Sequence, residues 1–161
     1  MSRSIIPSGG NDKIYTPENL AIKIINHFDP RGSILEPCFG TGSFYNNFPN
    51  EMKYFCEIDL GKDFFKFDKK VDWIITNPPF SQFRKFLQHS MKISNNIVFL
   101  SLINAFFMKA RLRDMKENNF SIKEILFIET PPKPWPQFGI QLGCVLIQKD
   151  HVGDVKISYL D

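Results

Sequence analysis

Short apolar runs recur along the chain, and two stretches between them have helical spacing. Each run is bounded by turn residues and lacks the alternation of a half-exposed strand, so we predict strands that are buried on both faces. The predicted strands cover residues 33–37, 54–59, 72–77, 96–102, 124–129 and 144–148. The helical stretches contain Phe83, Phe86, Leu87 and Met91, and then Met108, Leu112 and Met115. Because strand and helix alternate, the pattern predicts a mainly parallel sheet with helices on both faces.

The N-terminal part of the chain predicts a further helix. Thr16 is suited to cap it and Pro17 to occupy its first position, and the helix is expected to end near Asp29. Its apolar face consists of Leu20, Ala21, Ile24, Ile25 and Phe28. Residues 1–14 are rich in Ser, Gly and Asn and are predicted to be a flexible segment, which leaves residues 15–161 as a single domain.

The last two predicted strands are joined by a Pro-rich linker, residues 131–136, that has no helical pattern. A right-handed parallel crossover needs a longer connection, usually a helix, so an antiparallel final pair is expected. The alternation of Val155, Ile157 and Tyr159 predicts one more strand at the edge of the sheet.

Composition limits the classes of protein to which the chain can belong. With 161 residues and a hydrophobic fraction of 43%, it can build one continuous core. A net charge of +3 permits contact with a polyanion without arguing for one. Cys38, Cys56 and Cys144 have neither disulfide nor zinc-site spacing, and no apolar stretch reaches the roughly 20 residues of a membrane span. We therefore expect a soluble cytoplasmic protein without a metal or a membrane partner.

The segment after the first predicted strand, residues 36–44, is a tight glycine turn. Gly40 and Gly42 allow the backbone to bend sharply and to approach a ligand closely, while amides exposed at such a turn can receive a carboxylate or a phosphate. A dinucleotide-binding loop needs a third small residue at the position that Tyr45 occupies. The sequence therefore argues against NAD or FAD.

Two carboxylates, Glu57 and Asp59, lie at the end of the second predicted strand. In a parallel sheet this strand end lies beside the glycine turn, where a carboxylate can accept hydrogen bonds from ribose hydroxyls. The two side chains would point the same way along a strand, so either one fits that role, and a solvated turn is the alternative. Together with the glycine turn, they favour an adenosine-type cofactor.

The third predicted strand runs into residues 77–80, with the sequence Asn-Pro-Pro-Phe. Ligands bind at the carboxyl ends of strands in open parallel sheets, so this segment is placed at a binding edge. A simpler interpretation is a rigid turn in which Ser81 caps the next helix and Phe80 packs in the core. The glycine turn and the helix start at residues 16–17 favour the functional interpretation.

These motifs, in this order, resemble the N6-adenine DNA methyltransferases, a family of S-adenosylmethionine-dependent amino-methyltransferases. The matching segments are residues 15–17, 36–44, 56–59, 63–65 and 77–80. The resemblance implies a Rossmann-like class I methyltransferase fold, a three-layer sandwich with a mostly parallel sheet of about seven strands and an antiparallel strand near the C-terminus. It also implies S-adenosylmethionine as the cofactor. The signature at residues 77–80 is shared with enzymes that act on RNA bases and on protein glutamine amides.

The signature also suits this chemistry physically. An adenine amino nitrogen is a poor nucleophile because its lone pair is delocalised into the ring. The side-chain oxygen of Asn77 and the backbone carbonyl of Pro78 are suited to accept its hydrogens, and Pro78 and Pro79 hold these acceptors in place. Phe80 would stack on the base, a contact of roughly 1–3 kcal/mol, and a base in duplex DNA must be flipped into such a pocket.

The resemblance implies contacts to each part of the cofactor. Glu57 would hold its ribose, Asp63 its adenine amino group and Phe64 its adenine ring, with Thr16 and Glu36 near the methionine end. The other cofactor-binding residues implied are Cys38, Phe39, Gly40, Gly42, Ile58 and Asn77. Catalysis is assigned to Asn77, Pro78, Pro79 and Phe80, and contact with the target base to Phe80, Trp135 and Phe138. Simpler roles are a helix cap for Thr16, a turn for Asp63 and the core for Phe64.

The same resemblance suggests partners. DNA is the expected partner, with RNA as the alternative. The recognised sequence would be short or loosely defined, or its recognition would be supplied by a specificity subunit or a second copy of the chain. Candidate phosphate contacts, each equally explained as a solvated surface, are Lys66, Lys69, Lys70, Arg84, Lys85, Lys109, Arg111, Arg113 and Lys116. Two rival functions stay open: methylation of an RNA base or a protein glutamine, and a non-catalytic cofactor-binding subunit of a larger assembly.

Overall fold

The computed structural model describes residues 13–137 and 139–161. Within these ranges, three α-helices flank a seven-stranded sheet. The helices are α1 (Glu18–Phe28), α2 (Phe83–Ile93) and α3 (Lys109–Glu117). The strands are β1 (Ile34–Glu36), β2 (Lys53–Phe55), β3 (Val71–Thr76), β4 (Ser94–Leu102), β5 (Phe120–Ile128), β6 (Leu142–Lys149) and β7 (Lys156–Tyr159).

The strands lie in the order β2-β1-β3-β4-β6-β5-β7. The first four are parallel to one another, and β5 is parallel to β7. β6 runs antiparallel to both of its neighbours, β4 and β5. The structure therefore confirms a mainly parallel sheet with an antiparallel final pair and an added edge strand. The linker between β5 and β6 holds no helix among its described residues, so the chain returns antiparallel.

Side chains of the central strands alternate between two cores. Val98 and Leu100 of β4 pack on the α1 side of the sheet, whereas Ile97 and Phe99 pack on the side of α2 and α3. Helices thus cover both faces, which confirms the predicted three-layer architecture. Burial on both faces also explains why the strands read as continuous apolar runs rather than as alternating ones.

The first helix has the predicted apolar face but a different start. Its buried residues are Leu20, Ala21, Ile24, Ile25 and Phe28, as expected. However, Pro17 is the N-cap, and no side chain caps the helix. Thr16 lies one residue before the N-cap and does not cap the helix; its hydroxyl accepts a hydrogen bond from the Asn77 amide at 3.3 Å. The helix ends at Asp29, which adopts the left-handed conformation with φ of 44°.

The segment after β2 differs from its prediction. β2 ends at Phe55, and Ile58–Leu60 form a 3-10 turn in which the carboxylate of Glu57 accepts from the backbone N–H of Asp59 at 3.3 Å. The placement of Glu57 and Asp59 on one face of a strand is therefore wrong. The glycine turn is followed by a 3-10 turn, Tyr45–Asn47.

The predicted apolar face of α3 is also only partly formed. Met115 is buried, while Met108 and Leu112 are 55% and 39% exposed. Met108 precedes the helix as its N-cap, and the helix packs instead through Met115 and the buried Asp114. Asp114 tolerates burial because Arg84 on α2 donates two hydrogen bonds to it, at 2.7 and 3.0 Å.

The predicted flexible segment lies mostly outside the described residues, which begin at Lys13. Lys13 and Ile14, the last two residues of that segment, make defined contacts with Asp59 and Asn77. Within residues 13–137 and 139–161, no helix is long and apolar enough to cross a membrane. The same residues contain no group of three or more side chains suited to hold a metal ion.

We expect Gly143 in β6 to be required for strand packing. A Cβ atom there would lie 2.5 Å from the carbonyl oxygen of Leu126 and 2.9 Å from the side chain of Ile103. Gly143→Ala is therefore expected to lower the free energy of unfolding by about 1–3 kcal/mol in urea titrations. Gly139→Ala is the control, because no described atom lies within 4 Å of its added Cβ. Equal losses in the two variants would contradict the packing argument.

Candidate functional site

A cavity of about 820 Å³ lies at the carboxyl ends of β1 and β3, beside the turns that follow β2. Open parallel sheets bind ligands at this edge. The predicted site residues that line the cavity are Thr16, Glu36, Cys38, Phe39, Gly40, Glu57, Ile58, Asp63, Phe64, Asn77 and Pro79. Segments that are distant in sequence thus meet at one cavity, as the order of the motifs predicted.

The glycine turn forms one wall, and its geometry requires glycine. Gly40 and Gly42 have φ of 55° and 84°, which L side chains rarely adopt. A Cβ at Gly42 would meet the Asn46 amide at 2.6 Å and the Phe39 ring at 2.8 Å. Gly40 lines the cavity, whereas Gly42 lies outside the lining and contributes only to the shape of the turn. Its backbone N–H donates to the Phe39 carbonyl at 2.7 Å.

Glu57 is the carboxylate that is tied to the glycine turn. Its Oε2 accepts from the backbone N–H of Gly40 at 2.9 Å, and its Oε1 accepts from Asp59. Asp59 also lines the cavity, but its carboxylate forms an ion pair with Lys13 at 2.6 Å. The choice that the sequence left open therefore favours Glu57, whose position is set by two backbone amides and which forms no ion pair with another described residue.

The next turn brings Asp63 and Phe64 to the same cavity. Asp63 caps a 3-10 turn through a 2.9 Å bond from the Phe65 N–H to its Oδ1. Phe64 is 4% exposed and stacks on Phe86 of α2 at a centroid distance of 4.9 Å. Phe64 is thus both a core residue and a wall of the cavity. Ile58 is 68% exposed at the rim.

Glu36 is a buried carboxylic acid at the floor of the cavity. It is 1% exposed, and its Oε1 accepts from the backbone N–H of Cys38 at 2.8 Å and from the hydroxyl of Thr76. Burial raises the pKa of Glu36 to about 8, against these two hydrogen bonds, which lower it. A cationic group in the cavity would favour the carboxylate. Burial also raises the pKa of the Cys38 thiol, which argues against a nucleophilic role.

Asn77 is oriented by the N-terminal residues. Its Nδ2 donates to the carbonyl of Ile14 at 2.9 Å and to the hydroxyl of Thr16 at 3.3 Å. A carbonyl can only accept, so this contact fixes which way the amide points. The side-chain oxygen of Asn77 has no donor among the described residues and remains able to accept a hydrogen bond.

The two prolines after Asn77 differ in what their carbonyls do. The Pro79 carbonyl accepts from the backbone N–H of Gln82 at 3.0 Å and begins a 3-10 turn. Pro78 is buried and is not among the lining residues, but no described donor reaches its carbonyl. Phe80 is partly buried in the turn, also outside the lining set. Its stacking on a substrate base therefore stays a prediction.

The structure places Trp135 in the core and not in the cavity. Its side chain is 5% exposed and belongs to the core on the α1 side. The indole N–H donates to the carbonyl of Tyr15 at 2.8 Å, so a buried ring of this kind is not free to stack on a base. Phe138, its predicted companion, lies outside the described residues.

Residues 13–16 form a strap across the cavity, and side chains from three other segments hold it. Lys13 pairs with Asp59, the Ile14 carbonyl and Thr16 hydroxyl bind Asn77, and the Tyr15 carbonyl binds Trp135. Lys13 and Tyr15 were not predicted as site residues, because no local pattern marks contacts between residues so far apart in sequence. The other lining residues that were not predicted are Ile14, Pro37, Thr41, Ser43, Phe44, Leu60, Phe65, Gln82 and Phe86.

Known proteins resemble this chain in three-dimensional structure and not detectably in sequence. No protein-family model matches the sequence, and no curated protein is similar to it. Among solved structures, a proposed RNA methyltransferase of Pyrococcus horikoshii superposes with a TM-score of 0.61 and 18% identity, over 82% of this chain and 82% of that one. A class I S-adenosylmethionine-dependent methyltransferase proposed in Listeria monocytogenes has a TM-score of 0.62 and 13% identity, over 95% and 68%. The chain has the class I methyltransferase fold.

A third similar structure is the modification subunit of a proposed type I restriction enzyme from Vibrio vulnificus. It has a TM-score of 0.63 and 17% identity, and the match covers 92% of this chain. The chain spans about half of that subunit, 46% of its length. At such low identities the similarity shows the fold, and function must be argued from the site.

We expect Glu36→Gln to stabilise the protein in a pH-dependent way. In the folded protein the pKa of Glu36 is about 8, above the ordinary value of a glutamate. Ionisation of Glu36 therefore lowers the free energy of unfolding, and the loss grows as pH rises from the ordinary glutamate pKa to about 8. The gain in Tm is therefore expected to be larger at alkaline than at acidic pH, as measured by calorimetry. Glutamine fits because Oε1 carries both hydrogen bonds. The exposed Glu51→Gln is the control, and a pH-independent gain at Glu36 would refute this explanation.

Proposed function

We propose that the protein transfers the methyl group of S-adenosylmethionine to an exocyclic amino nitrogen, with N6 of adenine in DNA as the substrate. The observation that carries the proposal is the orientation of Asn77. Its amide nitrogen is bound to Ile14 and Thr16, which leaves its oxygen as an acceptor in a cavity shared with Gly40 and Glu57. An amino group that donates to such an oxygen is favoured in the pyramidal form that can attack a methyl donor.

The residues that line the cavity fit the cofactor. Glu57, fixed beside Gly40, can accept hydrogen bonds from ribose hydroxyls, and the positive φ of Gly40 lets the backbone approach a ligand. Asp63 and Phe64 offer an acceptor and an apolar wall for an adenine. Glu36 offers a carboxylate for the ammonium of the methionine end. When bound, S-adenosylmethionine supplies a methyl group made electrophilic by its sulfonium.

The protein groups nearest this chemistry would orient the amine and not remove its proton, which would pass to solvent as the nitrogen takes the methyl group and the sulfonium becomes a neutral thioether. Asn77 and Pro78 offer neutral oxygens, neither of which titrates, so they act as fixed acceptors and not as bases. Pro78 and Pro79 restrict the backbone that carries them. Phe80, directly after these residues, would stack on the target base once substrate draws its ring toward the cavity.

The resemblance of the motifs to N6-adenine enzymes and the fold shared with a type I modification subunit support DNA as the substrate. The similar P. horikoshii structure, described as an RNA methyltransferase and matched over 82% of its length, supports RNA as the alternative. The similar structure from V. vulnificus is a subunit of a larger enzyme, which supports a partner for this chain, either a specificity subunit or a second copy. A cofactor-binding subunit without catalysis of its own is the remaining alternative.

The substrate class can be tested with radiolabelled S-adenosylmethionine supplied with DNA, RNA and protein in parallel. We expect transfer into DNA, and mass analysis of the nucleosides should then show N6-methyladenine. Transfer only into RNA or protein would overturn the DNA assignment while retaining amino-group methylation. Cofactor binding without transfer into any of the three would favour a non-catalytic subunit.

Substitution of Asn77 tests the catalytic arrangement. Asn77→Ala removes the oriented acceptor, so the rate of methyl transfer at saturating cofactor is expected to fall by about 100-fold or more. The control is Asn96→Ala, at the opposite end of the sheet, where the amide nitrogen donates to the Asp72 carbonyl at 2.9 Å. A rate in Asn77→Ala equal to that of the control would refute the role of Asn77.

Trp135 is predicted to support cofactor binding through the strap. Trp135→Phe keeps an aromatic ring in the core but removes the donor to the Tyr15 carbonyl. The Kd for S-adenosylmethionine, measured by titration calorimetry, is expected to rise several-fold, because one hydrogen bond contributes about 1 kcal/mol. Trp73→Phe makes the same change at the other tryptophan, in β3 and away from the cavity lining. Equal weakening in both variants would show that the strap contact is not responsible.

A further inference from the structure

In the part of the chain that the structure describes, β2 is an edge strand of the sheet. In doubly wound sheets a further strand commonly lies beside the second one. Here the chain between β2 and β3 forms only short 3-10 turns, Ile58–Leu60 and Phe64–Lys66, among otherwise irregular residues. Among residues 13–137 and 139–161, β2 therefore pairs with β1 alone, and Lys53, Tyr54 and Phe55 of β2 border a second cavity of about 490 Å³.

This second cavity, the lysine-aromatic groove, has an unusual lining. It is bordered by the lysines Lys53, Lys62 and Lys66 and by the aromatic residues Tyr45, Tyr54, Phe55 and Phe67. Among the described residues that line it, the one carboxylate is Asp63, whose Oδ1 already accepts from the Phe65 N–H. The groove therefore combines an excess of positive charge with half-buried aromatic rings.

The lysines are held over the rings. The ammonium of Lys62 lies 3.8 Å from the centroid of Phe55, and that of Lys53 lies 4.8 Å from Tyr45. Lys69, at the margin of the groove, lies 4.5 Å from the Tyr54 ring and donates to its hydroxyl at 2.6 Å. Lys53 also donates to the carbonyls of Tyr45 and Phe48, at 3.2 and 3.5 Å. An ammonium group has three N–H donors, so Lys62 and Lys69 retain donors for a second partner.

We propose that the lysine-aromatic groove binds the phosphodiester backbone of an unpaired nucleic-acid strand next to the target base. This proposal rests on the proposed function. Asp63 borders both the groove and the cofactor cavity, which makes the two sites neighbours. β2 lies two strand spacings from β3, about 10 Å, or about three stacked nucleotides. A strand in the groove can thus continue toward Asn77.

Two other basic residues fit this role less well. Arg84 is paired with the carboxylate of Asp114, and Arg111 is half-buried, with its guanidinium over the Phe83 ring at 4.5 Å. A protein strand added to β2 is disfavoured, because lysines at an edge strand are a common means of preventing such pairing. Lysines interleaved with aromatic rings are instead the features with which proteins hold single strands.

The test compares two triple variants of the full chain. The first is Lys62→Gln, Lys66→Gln and Lys69→Gln at the groove, and the matched control is Lys109→Gln, Arg113→Gln and Lys116→Gln on α3. The probe is a short fluorescein-labelled single-stranded DNA oligonucleotide, followed by anisotropy between about 50 and 200 mM salt. Calorimetry establishes that each variant is folded and binds S-adenosylmethionine.

We expect the groove variant to lose about tenfold or more in DNA affinity at about 0.1 M salt. The slope of log affinity against log salt concentration should fall by the equivalent of about two phosphate contacts. The α3 variant is expected to keep both the affinity and the salt dependence. Equal losses in the two variants, or a loss confined to α3, would overturn the proposal, as would loss of self-association in the groove variant with unchanged DNA binding. If the groove variant loses DNA binding but the wild-type protein methylates no nucleic acid, the assignment of the groove as a DNA-binding site is supported and the proposed function is wrong.

Discussion

The arrangement of the cavity depends on the hydrogen bonds between Asn77 and the strap of residues 13–16. One amide side chain joins the end of β3 to a segment more than sixty residues earlier in the sequence. The same contacts close the cavity on the strap side and direct the amide oxygen of Asn77. Because the group of Ile14 that contacts Asn77 is a carbonyl oxygen, which can only accept, the direction of the amide follows from hydrogen-bond chemistry and not from packing alone.

The cavity is also shaped by carboxylates in three different environments. Glu57 is held by backbone amides, Asp59 is paired with Lys13 at the rim, and Glu36 is buried with a raised pKa. Burial of Glu36 is costly for the fold when it is ionised, and a ligand that carries a positive charge would offset that cost. Strain of this kind is common where a protein is organised for a ligand rather than for stability.

The strands, the helices and about half of the residues that line the cavity could be predicted from the sequence. The glycine turn, Glu57 and Asn77 lie at strand ends, and in a parallel sheet strand ends converge whatever the details of packing. The exceptions have local causes. Thr16 was assigned to a helix cap because capping is judged within one turn, whereas its hydroxyl contacts Asn77. Trp135 was expected to contact the substrate, but its ring packs in the core and its indole N–H donates to the Tyr15 carbonyl.

The sequence by itself determined the mainly parallel order of the elements and the chemical types gathered at one edge, because apolar periodicity and turn residues act locally. Only the tertiary structure decided how the strap crosses the cavity, which way Asn77 points and that Glu36 is buried enough for its pKa to rise. The place of β2 at the edge of the sheet also emerged only in three dimensions. These features depend on contacts between residues distant in the chain, which no local pattern of residues encodes.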